Sequence, residues 1–82
     1  MRKYFVYCLY SESRDRIYVG HTDNLDRRFK QHCSGFVEST KPYRPYRMIY
    51  NEEQPDKSAA MKRERELKLS SGRKFLRSLI GK

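Results

Sequence analysis

The chain has 82 residues, enough for one small domain and too few for two lobes with a cleft between them. A fold of this size removes only about 60–65% of its unfolded surface from water, so any site must lie in a shallow groove on the surface. Nineteen Lys and Arg against ten Asp and Glu leave a net charge of +9, which points to a polyanionic partner, nucleic acid first, rather than to an inert solvated surface or an anionic membrane face.

Taken in chain order, Lys3–Tyr10 (KYFVYCLY) is a β-branched and aromatic run too short for a helix and is predicted as a strand. Alternation puts Phe5, Tyr7 and Leu9 on one face and Tyr4, Val6, Cys8 and Tyr10 on the other, so both faces are apolar and the strand should be central. Arg16–Gly20 (RIYVG) is a second strand, and the short polar segment Ser11–Asp15 makes the pair an antiparallel hairpin. From Thr22 the pattern becomes helical. Thr22 or Asp23 is expected to cap the helix, Leu25 and Phe29 form its buried pair, and Ser34-Gly35 stops it. Arg28 and His32 share a stripe about 60° from that pair, at the border of core and solvent.

Pro42 and Pro45 make the segment 36–47 a loop in which cations alternate with aromatics, KPYRPYR. Arg47–Tyr50 (RMIY) is a third short strand, followed by the linker NEEQPD. A helix from Lys57 to Leu69 is capped by Asp56, and a last amphipathic helix from Gly72 to Ile80 should bury Phe75, Leu76, Leu79 and Ile80. The order β-β-α-β-α-α suits an α+β domain spanning 1–82, a three-stranded antiparallel sheet flanked by helices. Cys8 and Cys33 lack the spacing of a zinc set or a disulfide framework, and no apolar stretch approaches the ~20 residues of a membrane span. The expected setting is the reducing cytoplasm, away from membranes.

Glu64 carries the most chemical information. With 100° per residue it lies about 40° from Ala60, between Leu67 and Met61, inside the apolar arc of its helix, whereas Glu66 points to solvent. An inward carboxylate in a cationic domain needs a partner, which is a salt bridge to an arginine, a metal, or a buried hydrogen-bond network. Tyr7 and Tyr18, from the two hairpin strands, can project their hydroxyls toward one groove; as isolated residues they would be ordinary core tyrosines. With Arg28, His32 and Glu64 they supply the parts of a phosphodiester hydrolase: a metal anchor, a cation for charge developing on phosphate, and groups able to move a proton.

FVY at 5–7, IYVG at 17–20, NLDRRFKQH at 24–32, KPYRPYRMIY at 41–50 and AMKRERELK at 60–68 together resemble the GIY-YIG nuclease family. They are most similar to its small stand-alone bacterial members, related to the excinuclease catalytic domain and to homing endonucleases. The resemblance implies a metal-dependent DNA endonuclease, structure-selective or weakly specific and linked to repair or recombination. The two tyrosines of the pattern fall on Tyr7 and Tyr18, its glycine on Gly20, its arginine on Arg28 in preference to Arg27, and its metal-binding glutamate on Glu64. His21 takes a position often held by Lys, and His32 one held by Tyr or His.

By that resemblance one Mg²⁺ or Mn²⁺ binds Glu64, Tyr7 is the general base, Tyr18, His21 and His32 order the proton path, and Arg28 stabilises the transition state. A phenol with an ordinary pKa near 10 is a poor base at neutral pH, so this role requires neighbouring cations that favour the phenolate. The sequence departs from the pattern in its FVY and YVG triplets and in lacking an evident asparagine after Lys68. DNA is the expected partner, with RNA as the second candidate, and a monomer is expected. Lys41, Arg44 and Arg47 are candidates for phosphate contacts, and Tyr43 or Tyr46 for unpaired bases, unless those tyrosines pack down onto the domain. The rival readings are a nucleic-acid-binding module without catalysis and an adaptor of a larger assembly.

Overall fold

A computed structural model describes residues 3–38 and 40–81. The apolar N-terminal run forms β1 (Tyr4–Ser11), and a turn returns the chain as β2 (Arg16–Thr22). Next come α1 (Leu25–Ser34), a 3₁₀ turn at Lys41–Tyr43, β3 (Arg47–Gln54), α2 (Lys57–Lys68) and α3 (Ser70–Ser78). The sheet order is β2-β1-β3, with both pairs antiparallel. The doubly apolar strand is therefore central, and residues 6–11 are all buried. The α+β architecture read from the element order is the one observed.

Several boundaries differ from the sequence expectation for local physical reasons. The cap of α1 is Asn24, whose side chain accepts from the Arg27 N–H, and neither Thr22 nor Asp23 serves. Thr22 instead ends β2, paired with Phe5, and its hydroxyl takes the Asn24 N–H at 3.1 Å. Gly35 closes the helix in the left-handed conformation, φ 82°, returning its N–H to the last turn. β3 runs on through the polar NEEQ to Gln54, pairing with β1 as far as Tyr4, so four of the six residues of the expected linker are strand. Its register shifts between Cys8 and Leu9, where Tyr50 and Met48 face consecutive β1 residues. Asp56 caps α2 as expected, through the Ala59 N–H.

The two C-terminal helices are present as expected but meet more closely: α2 ends at Lys68, Leu69 is extended, and α3 starts at Ser70 rather than Gly72. Only Leu76 of the four residues expected to be buried in α3 is fully so; Phe75 and Leu79 stay exposed, as does Met61 of α2. One sheet face packs Val6, Cys8 and Val19 against Ala60, Leu67 and Leu76. The other packs Tyr7 and Leu9 with Tyr46, flanked by Tyr18, Leu25, Phe29, Tyr43 and Met48. Each face has its own small core, and β2, one of the two edge strands, contributes to both, Val19 to one and Tyr18 to the other. Among the described residues no helix is long and apolar enough to cross a membrane.

Candidate active site

Tyr7 and Gly20 are a direct cross-strand pair, and this juxtaposition organises the site. A Cβ at residue 20 would stand 2.7 Å from the Tyr7 hydroxyl oxygen and 3.1 Å from Cε1 of Tyr18, so only glycine lets both rings lie over β2 there. The ring of His32, on the facing side of α1, lies 4.9 Å from that of Tyr18 and 5.8 Å from that of Tyr7. His32 is 0% exposed.

The hydrogen bonds around His32 fix which nitrogen carries its proton. The Thr40 hydroxyl donates to the Val37 carbonyl at 3.2 Å, which leaves its oxygen to accept from His32 Nδ1–H at 2.8 Å. His32 Nε2 is then a bare acceptor, and the Tyr7 hydroxyl donates to it at 2.9 Å. The result is a directed chain: Tyr7 to His32, His32 to Thr40, Thr40 to a backbone carbonyl. Burial, helped by the nearby Arg28 charge, pushes the His32 pKa down to about 4. Burial also pushes the Tyr7 phenol up to about 12, against the pull of Arg28 and with smaller upward contributions from Tyr18 and Glu64. The expectation that neighbouring cations favour the Tyr7 phenolate is therefore corrected: desolvation outweighs Arg28, and both Tyr7 and His32 are neutral at pH 7.

Arg28 faces this group and hydrogen-bonds Gln31 Oε1 at 3.0 Å. Arg27, one residue earlier, turns to solvent and pairs with Asp23 at 3.0 Å, so the helix itself separates the two arginines. On the other side of the β2 edge, His21 Nδ1–H donates to Glu64 Oε1 at 2.7 Å and Lys68 Nζ donates to Oε2 at 2.8 Å. The inward carboxylate thus has its partner, but the pair is a histidine and a lysine rather than an arginine. Burial alone would raise the Glu64 carboxyl; the hydrogen bonds from Lys68 and His21 outweigh it and hold the group below the usual carboxylate range. The Glu64 charge is nevertheless felt at Tyr7, as the smallest of the upward contributions to its phenol, so the two groups act on each other across the β2 edge.

A divalent ion would have Glu64 as its protein anchor. No group of three His, Cys, Asp or Glu able to hold a metal occurs among the described residues, so a closed zinc site is excluded there. Magnesium, which keeps several waters and binds through one or two carboxylates plus substrate phosphates, fits a lone carboxylate. The Glu64 side chain is 19% exposed and that of Lys68 52% exposed, so Oε2 becomes available when the lysine swings outward.

The loop candidates are more committed to the domain than their sequence suggests. Tyr46 is buried against His32, which removes it as a base-stacking residue. Tyr43 is half-buried with the Arg16 guanidinium 5.0 Å over its ring. Arg44 donates to the Lys41 carbonyl, Arg47 pairs with Glu12 at 3.2 Å, and Lys41 is exposed. Two residues bonded to the site were not among the sequence candidates. Thr40 is eight positions from His32 in an irregular segment and carried no signal, whereas the i,i+4 spacing of Lys68 from Glu64 could have found the lysine.

Comparison with known proteins gives this geometry a family. Residues 3–76 match the sequence model of the GIY-YIG catalytic domain. The chain is 34% identical over 80 residues to a UPF0213 protein of Staphylococcus haemolyticus, covering 96% of each, and 36% identical over 66 residues to one of Natronomonas pharaonis, covering 79% of this chain and 76% of that one. The solution NMR structure of a UPF0213 protein from Bacillus halodurans superposes with a TM-score of 0.56 at 32% identity, over 94% of this chain and 84% of that one. The chain therefore belongs to the GIY-YIG family, whose catalytic domain is that of a nuclease superfamily, and it is similar along nearly its whole length to the small UPF0213 proteins.

Proposed function

We propose that this protein is a metal-dependent endonuclease that hydrolyses phosphodiester bonds in DNA, acting as a monomeric single domain on nucleic-acid structure or with weak sequence preference. The observation that carries the reading is the setting of Tyr7: its hydroxyl lies against Gly20 and donates to His32, it feels both Arg28 and Glu64, and Glu64 is bonded to His21, the residue after Gly20.

In this reading Tyr7 accepts the proton of the attacking water as its own proton passes to His32 Nε2, and the Nδ1–H bond to Thr40 holds the imidazole in place throughout. Arg28 faces the charge that develops on the phosphate. A bound phosphate also offsets the Arg28 charge, one of the two causes that hold His32 down, so substrate itself makes His32 a better acceptor. Tyr18 packs the pair in place, and Glu64, oriented by His21, would hold the single Mg²⁺ or Mn²⁺, which when bound supplies Lewis-acid polarisation of the phosphate. The two unpaired cysteines, one buried and one exposed, suit a reducing compartment such as the cytoplasm, and the likeness to the excinuclease catalytic domain suggests repair or recombination as the setting.

The test is nicking of supercoiled and branched DNA with Mg²⁺ or Mn²⁺, with and without EDTA. Activity that requires the ion and disappears in Glu64→Gln is expected; activity that survives Glu64→Gln sinks the metal role. A second reading, a binding module without catalysis, is favoured by the two cations that already close Glu64. It predicts salt-sensitive binding of DNA or RNA and no cleavage under either ion.

A further inference from the structure

A groove of about 270 Å³ runs over the outer edge of β2, lined by Ile17, Tyr18, Val19, Lys68 and Arg73. It is distinct from the Tyr7–His32 chain but touches both halves of the candidate site: Tyr18 belongs to the tyrosine cluster, and Lys68 is bonded to Glu64. Its size falls just below the ~300–1,000 Å³ usual for small-ligand sites, on the scale of one nucleotide and not of a duplex. Its chemistry is also that of a nucleotide subsite. Ile17 and Val19 give an aliphatic floor, Tyr18 an aromatic wall, and Lys68 and Arg73 two cations. Arg73 is exposed and makes no ion pair with another described residue, so its charge is available to a ligand. Because β2 is the edge strand, its outward backbone N–H and C=O groups have no strand partner and can meet the polar edge of a base.

We infer that this groove holds one unstacked nucleotide of the substrate strand, next to the phosphate that Arg28 faces, with its base against Tyr18 and Ile17 and its phosphate between Lys68 and Arg73. The inference rests on the nuclease reading and deepens it. A base paired in a duplex cannot enter the groove, so selection falls on strands with an unpaired nucleotide at the site of cutting. The exposed loop cations then contribute charge without selecting structure.

The proposal is tested by binding without divalent metal, so that it does not depend on turnover. A labelled oligothymidylate 12-mer, a duplex of the same length and free thymidine monophosphate are titrated in EDTA against the unsubstituted chain, Ile17→Ser and Arg73→Ala. Circular dichroism checks the fold of each. Ile17→Ser should weaken the single strand about threefold or more while leaving the duplex unchanged, because it removes apolar contact and no charge. Arg73→Ala should lower the salt dependence of single-strand binding by about one counterion. Amide shifts on adding a trinucleotide should fall on Ile17, Val19 and Arg73. Shifts confined to residues 41–47, equal weakening of single strand and duplex by Ile17→Ser, or mononucleotide binding that competes with no strand, each overturns the groove. These failures are separable from failure of the nuclease reading, which would appear as groove binding intact and no cleavage under either metal.

Discussion

Two histidines on the two sides of β2 show how differently one side chain is used in this small domain. His32, under α1, is wholly buried, uncharged and locked between a phenol and a threonine hydroxyl, in a chain where every proton has one direction. His21, on the α2 side, is partly exposed and donates to a carboxylate that also carries a lysine. The first region is dry and neutral and suited to passing a proton. The second is wet and ionic and suited to exchanging one cation for another. What separates them is a single edge strand with a glycine where the two regions touch.

The largest expected effects fall on the ionic side. Glu64→Gln keeps the size of the side chain but removes its charge, so metal-dependent cleavage should fall to the level seen in EDTA, with a modest fall in melting temperature from the weakened bonds to His21 and Lys68 and the fold retained. A Gln variant with near-normal cleavage would mean that the ionic region is only structural. On the neutral side, Tyr7→Phe removes the proton donor to His32 without altering the packed ring. Cleavage should drop about 10²–10⁴-fold at unchanged substrate affinity. A drop in affinity instead, with kcat preserved, would turn the chain from Tyr7 to Thr40 into a scaffold.

Acid separates the two regions thermodynamically. The folded-state pKa of His32 lies near 4, below its ordinary 6.5, so between those values the unfolded chain takes up a proton that the folded chain refuses. Stability is therefore full above pH 6.5 and declines as pH falls to about 4, by roughly 3 kcal/mol from this group. Glu64, held below the usual carboxylate range, adds a loss that sets in as pH falls below that range and is complete only beneath its folded value. Urea unfolding at pH 7 and pH 4.5 should show the decline, and His32→Gln should flatten it. An unchanged slope in that variant would show that His32 is not the group refusing the proton.

Thr40→Val is the next smaller perturbation. It is nearly isosteric but strands the buried Nδ1–H of His32, at an expected cost of about 1–3 kcal/mol, and frees the ring to adopt the other tautomer. Imidazole ¹⁵N shifts read that tautomer directly, and Thr40→Ser should restore both stability and shifts. Identical shifts in the Val variant would remove Thr40 from the proton path.

These regions were not equally readable from the sequence. Strand alternation places Tyr7 and Tyr18, and helical angles turn Glu64 inward and set Arg28 at the border of core and solvent, because each rests on the spacing of neighbours along one element. The continuation of β3 through Asn51–Gln54 was hidden because this edge strand is held by pairing to β1 and by Glu52 bonding Tyr50, Gln54 and Arg63, not by apolar residues. The exposure of Phe75 has a similar origin. Its ring packs edge-on to Tyr50, 5.3 Å between centroids, at the rim of the sheet rather than in the core. Thr40 was invisible because its role exists only once a loop has folded back over a helix, and no periodicity encodes that contact.

The smallest effect concerns the cation that already occupies Glu64. Lys68 is half exposed and lies one helical turn from the carboxylate, so its ion pair should be worth no more than about 0.2–1 kcal/mol, or about 1.4- to 5-fold in any equilibrium that must break it. A divalent ion binding at Oε2 has to displace the lysine. Lys68→Met should therefore tighten Mn²⁺ binding by a factor within that range, measured by electron paramagnetic resonance of the free ion in the absence of nucleic acid. Weaker Mn²⁺ binding in this variant would mean that Lys68 positions the carboxylate for the metal instead of competing with it. The ionic region would then be as preorganised as the neutral one, and the contrast between the two sides of β2 would reduce to exposure alone.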